Sequence, residues 1–409
     1  MINVDKMRFI DLYCGVPLTF IVTGLVKLFS LFAPREKTKP RNVLFMELSE
    51  MGSAILADPA MCKARQTFGA ELYFCIFSKN RDSLLLLRTV KEENIFTIRE
   101  DSLIRLASDT LKFLAWARKN NIDTVVDLEL FSRFTALLAG LSGAKRIAGF
   151  FAFHNEGLYR GNMMTHKVAY NPHIHIAKNF IALVNALISD NGEVPYSKTA
   201  IADSEIALAK VSPSEGEKER VWGKAKEQYQ SLDKSAHHIV LMNPNASALL
   251  PQRRWPLDKY ARLITMLLDY DERAVILITG SPAERDEMQT LVKAVNNPRC
   301  VNFTGKVEFT ELPILYSIAT LMVTNDSGPA HFSAITDMPT FILYGPETPK
   351  LYGSLGNSIP IYAGLACSPC VTAANHRKTP CRDNVCLQVI TEKAVFDVVK
   401  PFLKAKAKG

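Results

Sequence analysis

Short apolar runs alternate with amphipathic stretches along most of this chain, and the alternation starts twice. The runs in the first half are NVLFMEL (42–48), ELYFCIF (71–77), NIFTI (94–98), DTVVDLE (123–129) and RIAGF (146–150). The runs in the second half are HIVLMNP (238–244), AVILITG (274–280), CVNFTG (300–305), LMVTND (321–326) and TFILYG (340–345). Strands that alternate with helices form parallel sheets through right-handed crossovers. The pattern therefore predicts an α/β protein with two similar halves.

The length of 409 residues also favours two domains, because one hydrophobic core seldom supports so long a chain. A polar stretch, residues 191–236, is predicted to connect them and to carry a surface helix that begins after Pro213. The predicted segments are an apolar N-terminal segment (1–40), a first domain (41–190), this connection, a second domain (237–390) and a C-terminal helix (391–409).

The formal net charge of +8 is spread along the chain rather than gathered into blocks. A positive balance favours anionic partners, either a phosphorylated substrate or an acidic membrane surface. No basic stripe with interleaved aromatic residues is present, so we predict no nucleic-acid partner.

The N-terminal segment is the most apolar part of the chain, with no charge from Tyr13 to Val26. Lys27 ends this run, which is short for a membrane span of about 20 residues. The alternatives are a helix lying on a membrane, a true span and a buried core helix. Asp5 and Asp11 argue against a secretory leader. The cations that follow would suit anionic headgroups or form a solvated linker: Arg35, Lys37, Lys39 and Arg41.

Ligands of open parallel sheets bind beyond the carboxyl ends of the strands, so the loops there are the candidate sites. The loop MNPNASALLPQRRWP offers amides, a hydroxyl and two guanidinium groups, which could cradle a diphosphate. Its candidate residues are Asn245, Ser247, Arg253 and Arg254. The alternative is a long loop with incidental arginines.

The loop TGSPAER follows the next apolar run. Its Gly280 lies in a tight turn, and Glu284 could accept hydrogen bonds from a ribose diol. Glu284 is equally explained as an acid in the first turn of a helix.

The stretch TNDSGPAH concentrates four polar, small or titratable residues at one strand end. Backbone amides at Ser327 and Gly328 could approach an anion at a helix N-terminus. Asp326 could bind a sugar hydroxyl and His331 a phosphate oxygen. A helix capped without any ligand is the alternative.

These motifs, together with FTGKVEFTELPILYSIATLMVTNDSGPAHFSAI and ILYGPETP, resemble those of the bacterial ADP-heptose:lipopolysaccharide heptosyltransferases, glycosyltransferase family nine. The resemblance implies the GT-B fold, two Rossmann-like domains facing across a cleft, here with an apolar N-terminal membrane-associating helix added. It implies a donor site in the C-terminal half and an acceptor site in the N-terminal half. The residues that it marks as donor-binding are Ser247, Arg253, Asp326, Ser327, Gly328 and His331.

The implied activity is transfer of a heptose or related hexose from a nucleotide-diphospho-sugar to a lipopolysaccharide-core or other glycolipid acceptor. We expect inversion, no cofactor or metal for catalysis, and action at the cytoplasmic face of the inner membrane. The rival hypotheses are a nucleotide-sugar epimerase of GT-B fold and an inactive sugar-nucleotide binder.

The first-domain loop ELSEMGSAILADPAM departs from the family pattern, in which an Asp follows the Gly and is the proposed base. Here Gly52 is followed by Ser53, which cannot take up a proton at neutral pH without a base of its own. Glu50 is the predicted substitute base, with Asp58 as the second choice.

Four of the eight cysteines form the segment CSPCVTAANHRKTPCRDNVC, with His376 inside it. Cys367, Cys370, Cys381 and Cys386 could hold a structural zinc ion. Reduced thiols and disulfides are the alternatives.

Overall fold

The computed structural model describes residues 4–30, 38–154, 158–189, 193–247, 250–372, 375 and 377–405. Arg35, Lys37, His376 and the last four residues, named above, lie outside these ranges. The chain divides into two compact units, Met1–Ala207 and Leu208–Gly409. The division falls inside the predicted connection. In the described residues each unit holds one six-stranded parallel sheet.

The first unit carries its sheet in the order β3-β2-β1-β4-β5-β6. The strands are β1 (Asn42–Met46), β2 (Glu71–Phe77), β3 (Ile95–Ile98), β4 (Thr124–Asp127), β5 (Arg146–Phe150) and β6 (His166–Val168). The helices are α1 (Val4–Tyr13), α2 (Gly15–Ser30), α3 (Met51–Leu56), α4 (Asp58–Phe68), α5 (Asp82–Leu87), α6 (Leu103–Lys119), α7 (Arg133–Leu141) and α8 (Ile176–Ala186).

The second unit has the order β12-β11-β10-β7-β8-β9. The strands are β7 (His238–Asn243), β8 (Ala274–Ile278), β9 (Cys300–Asn302), β10 (Ala319–Asn325), β11 (Thr340–Tyr344) and β12 (Ser358–Tyr362). The helices are α9 (Glu215–Gln228), α10 (Leu257–Tyr270), α11 (Arg285–Val295), α12 (Leu312–Ile318), α13 (Gly328–Phe332), α14 (Pro349–Tyr352), α15 (Val385–Gln388) and α16 (Glu392–Ala405).

The two sheets follow the same order, which is that of the Rossmann fold. Successive strands are added toward one edge of the sheet and then toward the other, and this order reverses between β1 and β4 in the first unit and between β7 and β10 in the second. Ligands bind at such switch points in folds of this kind. The prediction of an α/β protein with two Rossmann-like domains is confirmed.

Central strands are buried on both faces, which explains their near-continuous apolar sequence. All five residues of β8, AVILI, are inaccessible to solvent. Leu263 and Leu267 of α10 and Val395 of α16 pack in the same core. Each such side chain contributes about 1.5–3 kcal/mol when it leaves water, so the core fixes where the strand ends lie.

Two segments of the first unit each divide into two helices. The N-terminal segment contains α1 and α2, which meet at an angle of 46°. The stretch 54–68 is divided between α3 and α4 at Ala57, because Pro59 in the first turn of α4 cannot continue a preceding helix.

Candidate functional site

The carboxyl ends of four adjacent strands of the second unit, β8, β7, β10 and β11, carry the predicted ligand-binding loops. Asn245 follows β7, Gly280 follows β8 and Asp326 follows β10. A Cβ atom placed on Gly280 would lie 3.3 Å from Asn245 Nδ2 and 2.8 Å from Glu284 Oε2. The fold therefore brings Asn245, Gly280 and Glu284 together, and a side chain at residue 280 would crowd the other two.

Arg253 lies between two buried carboxyl groups. Its Nη2 is 2.6 Å from Glu347 Oε2, and its Nε is 3.5 Å from Asp326 Oδ2. Arg377 Nε lies 3.4 Å from the other oxygen of Glu347. Glu347, in the loop after β11, was missed in the sequence. The available signal was its place in GPETP, a Gly-Pro loop at a strand end.

Burial raises the pKa of the Glu347 carboxyl to about 7, with Arg253 opposing the shift and Asp326 adding to it. Burial also raises the pKa of Asp326, against the pull of Arg253. For Arg253 itself burial acts to lower the pKa, but Asp326 and Glu347 outweigh it and the pKa is raised. The cluster thus holds a permanent cation beside an acid that titrates near neutrality.

Asn325, the last residue of β10, ties the loop after β7 to the sheet. Its side-chain oxygen accepts hydrogen bonds from Trp255 N at 3.1 Å and from the Tyr260 hydroxyl at 3.2 Å. Its Nδ2 donates to Pro244 O at 2.6 Å. Asn325 was not among the predicted site residues, yet it fixes both ends of the loop that carries Asn245 and Arg253.

The side-chain amide of Asn245 is buried, and neither its oxygen nor its nitrogen has a hydrogen-bond partner within the described part of the chain. Buried polar groups are normally paired, so this unpaired amide makes the end of β7 a candidate ligand contact. Ser247, two residues later, is exposed to solvent.

The segment Ser327–His331 begins α13, as predicted, but this helix has five residues and continues as one 3-10 turn. The Ser327 hydroxyl makes no capping bond and donates instead to Asn325 O at 3.2 Å. The alternative of a helix capped by this side chain is therefore not what the structure shows. Gly328 packs against the Phe332 ring, and His331 is buried.

Two predicted donor residues have protein partners of their own. Arg254 Nη1 lies 3.2 Å from Glu287 of α11, away from the carboxyl pair that holds Arg253. Glu284 Oε2 accepts a hydrogen bond from Ser281 N at 2.7 Å, as an acid in a first turn does. Glu284 nevertheless remains beside Gly280 and Asn245.

The loop between β1 and α3 is held by polar contacts in the first unit. Glu129 accepts from Leu48 N at 3.0 Å and from the Ser49 hydroxyl at 3.1 Å, and Asn80 Nδ2 donates to Leu48 O at 2.9 Å. Glu50 follows directly. These contacts fix the backbone that presents Glu50 at the carboxyl edge of β1.

Glu50 is half-buried, and the Ser53 hydroxyl donates to its Oε2 at 3.3 Å. Gly52 and Ser53 lie in the first turn of α3. Asp58 is buried in α4, where it accepts from Thr89, and burial raises its pKa. Glu50 is therefore the more accessible of the two predicted bases.

The C-terminal cysteines are near one another without forming a metal site in the described ranges. Burial raises the pKa of Cys386, and the charges of Cys370, Cys381 and Cys367 act in the same direction. The Cys370 sulfur contacts the Thr379 hydroxyl at 3.4 Å. All four are free thiols.

Comparison with known proteins places the chain in one family. The sequence profile of glycosyltransferase family 9 (heptosyltransferase) matches residues 118–379. Lipopolysaccharide heptosyltransferase 2 of Salmonella typhimurium is 32% identical over 102 residues, which cover 24% of this chain and 29% of that protein. Lipooligosaccharide heptosyltransferase 2 of Campylobacter jejuni is 25% identical over 186 residues, covering 44% and 56%.

Among solved structures, ADP-heptose lipopolysaccharide heptosyltransferase II of Escherichia coli superimposes with a TM-score of 0.69 at 20% identity. That comparison covers 90% of this chain and 99% of that one, and it shows the shared fold. The matched stretches span between about a third and about half of the curated relatives described above.

Proposed function

Because the chain belongs to glycosyltransferase family 9, the heptosyltransferase family, we propose that it transfers a heptose or related hexose from a nucleotide-diphospho-sugar to a lipopolysaccharide-core or similar glycolipid acceptor. The observation that carries the proposal is the cluster at the carboxyl ends of β7, β8, β10 and β11. It combines an arginine whose side chain is only 15% exposed, an unpaired buried amide and a glycine turn, at strand ends on either side of the switch point of the sheet. We place the reaction at the cytoplasmic face of the inner membrane.

Arg253 is the group proposed to neutralise the diphosphate. Its guanidinium can bind two phosphate oxygens at once, and in a buried site each contact is stronger than in water. Glu347 and Asp326 hold the guanidinium in place before the donor arrives. A positioned cation of this kind stabilises the charge that develops on the leaving diphosphate.

Glu50 is the proposed base. The acceptor hydroxyl gives its proton to the Glu50 carboxylate while its oxygen bonds to the anomeric carbon. The bond from that carbon to the diphosphate breaks on the opposite face, so the configuration inverts. Ser53 donates to the same carboxylate and holds its orientation.

The decisive experiment is Glu50→Gln in the full chain, assayed for sugar transfer and, separately, for donor binding. We expect turnover to fall about 100-fold or more, the range of general-base catalysis, with donor affinity unchanged. Glu92→Gln, at an exposed acid paired with Arg81, is the matched control. Turnover of Glu50→Gln within a few-fold of the unmodified protein would exclude this base.

We propose that no metal takes part in the transfer, because Arg253 and the strand-end amides can supply the positive charge that a divalent ion gives elsewhere. Excess chelator should leave the transfer rate unchanged. Loss of transfer that returns when a divalent ion is restored would contradict this.

A sugar-nucleotide binding protein without transferase activity is the second candidate, favoured by one observation: Ser53 stands where the family has its proposed base. Tight donor binding with no transfer to any glycolipid would support it. Zinc at the cysteine segment stays a prediction, which metal analysis of protein purified without chelator tests.

A further inference from the structure

The outer face of α1 and α2 is an unusually large apolar surface. From Met7 to Phe29, nine large apolar side chains are exposed to solvent, and Phe20 and Phe29 are 73% and 70% exposed. The set is Phe9, Leu12, Tyr13, Leu18, Phe20, Ile21, Leu25, Leu28 and Phe29. Soluble monomers rarely expose large apolar patches, so nine exposed apolar side chains on two consecutive helices point to a partner that covers them. We call these nine side chains the outer face.

The opposite side of the same helices packs against the rest of the first unit. Asp11 accepts hydrogen bonds from the backbone nitrogens of Arg133 and Phe134, at 3.0 and 3.2 Å, and pairs with the Arg133 guanidinium at 2.9 Å. These contacts cap the N-terminus of α7, where a carboxylate is favoured by the helix dipole. Asp11 is the sole acidic residue between Met7 and Phe29, and it points inward.

Contacts continue along the inner side of α2. Val22 packs with Ala136 of α7 and with Met163, and the Thr23 hydroxyl accepts a hydrogen bond from Asn162 N at 2.9 Å. The residues that contact the rest of the first unit therefore run from Asp11 to Thr23, a length of about 18 Å at the rise of an α-helix.

This attachment decides how the segment can meet a bilayer. In the described residues no single helix has the length and apolarity to cross a membrane. One bent pair, Met7–Tyr13 with Gly15–Phe29, has both when its two helices are taken together. A pair whose inner side is bound to α7 along most of its length cannot cross without drawing the first unit into the lipid. It can lie flat, with its outer face in the interface.

Cations beside the outer face favour an anionic lipid. Lys27 is exposed near the end of α2. Lys167 of β6 is half-buried, with its Nζ 4.3 Å from the centre of the Phe151 ring. Burial lowers the pKa of Lys167, and the Lys27 charge adds to that shift. Two neighbouring cations repel each other, and an anionic headgroup between them relieves that repulsion.

We propose that α1 and α2 form a monotopic anchor, whose outer face inserts into the interface of a bilayer while Lys27 and Lys167 bind anionic headgroups. This inference does not depend on the proposed transferase activity. It deepens that function by assigning the surface through which the first unit would be held beside a lipid-linked acceptor.

The experiment is flotation of the full chain with phosphatidylcholine vesicles, with and without phosphatidylglycerol. We expect binding that is stronger when phosphatidylglycerol is present. The double variant Phe20→Ser with Phe29→Ser should weaken partitioning at least about tenfold, since two apolar side chains no longer leave water. Lys27→Gln should lower binding about fivefold, and only with the anionic lipid.

Matched controls are available in the same unit. Ile104 and Leu111 of α6 are also exposed, at 83% and 70%, so Ile104→Ser with Leu111→Ser should leave vesicle binding unchanged. Lys119→Gln, at an exposed lysine of α6, is the control for charge. Unchanged thermal unfolding would show that the variants are folded.

Three results would overturn the proposal. One is equal vesicle binding by the unmodified chain and the Phe20/Phe29 variant. Another is a dimer in lipid-free solution that the same variant dissociates while vesicle binding is absent, since a second copy would then cover the outer face. The third is an N-terminal peptide tag protected from external protease in sealed vesicles, which would show a span. The assay contains neither donor nor acceptor, so its failure leaves the transferase proposal standing.

Discussion

In the proposed donor site, Arg253 is held between two acids before the diphosphate binds. A lone guanidinium away from water is costly, and the contacts with Glu347 and Asp326 offset that cost. The same acids compete with a diphosphate for the guanidinium. The protonation of Glu347, whose pKa burial raises to about 7, therefore controls how much positive charge the site offers.

We predict that donor affinity increases as the pH falls from about 8 to about 6, by roughly three- to tenfold, because protonated Glu347 no longer neutralises the cluster. A nucleotide-diphospho-sugar is the right probe, since its diphosphate does not titrate in this range. Glu347→Gln should bind the donor with little pH dependence, as measured by calorimetry. Glu272→Gln, at an exposed acid of the same unit, should keep the dependence, and a pH response surviving in Glu347→Gln would contradict the assignment.

Folding stability should respond to the same carboxyl group. The pKa of Glu347 in the folded protein, about 7, is above its ordinary value of 4.5. Its contribution to stability is therefore present below pH 4.5 and is lost as the pH rises through 7, because the unfolded chain releases the proton more readily. Low pH thus favours both the fold and the bound donor at this residue.

Much of the site could be predicted because its residues follow apolar runs directly. Asp326 comes after LMVTN and Asn245 after LMNP, so the rule for parallel strands places them at one edge. Glu347 could not be assigned, since its pairing with Arg253 joins positions 94 residues apart. Arg254 and Arg253 are adjacent in sequence yet point to different acids, and a sequence pattern does not distinguish them.

The central strands were all predicted, and two of the four edge strands, β6 and β12, were missed. β6 has three residues, and β12 has Pro360 in the sequence SIPIY. Edge strands need fewer apolar residues and tolerate proline, because one side of the backbone has no neighbouring strand. The apolar pattern that marks a strand in the sequence is correspondingly weak in β6 and β12.

The packing of α2 against the rest of the first unit depends on Gly161, which has a φ of +77°. A Cβ there would lie 2.7 Å from the Thr23 hydroxyl and 3.0 Å from Thr19 O. We predict that Gly161→Ala destabilises the first unit by roughly 1–3 kcal/mol and loosens α2, because both the backbone strain and the contact oppose it. Thermal unfolding and the rate of proteolysis within residues 7–29 measure the two effects.

Gly24→Ala is the control in the same helix, since a Cβ at Gly24 meets no atom within 4 Å. Alanine is the better helix former, so this variant should stabilise α2 by about 0.5–1 kcal/mol and slow proteolysis. If Gly161→Ala behaved like Gly24→Ala, the packing of α2 would not depend on close approach at residue 161.

At the scale of the whole molecule, each unit has its own sheet and its own core, and the proposed donor cluster belongs to one of them. Asn245, Arg253, Asp326, Glu347 and Arg377 all lie in Leu208–Gly409.

We predict that a fragment of residues 208–409 folds cooperatively and binds a nucleotide-diphospho-sugar within a few-fold of the full chain, measured by calorimetry. A fragment of residues 1–207 should show no such affinity. The two fragments mixed should transfer sugar more slowly than the intact chain. The proposed reaction uses Glu50 of one fragment and the donor on the other, and association of free fragments costs several kcal/mol. A folded 208–409 fragment without donor affinity would show that residues of the first unit complete the donor site.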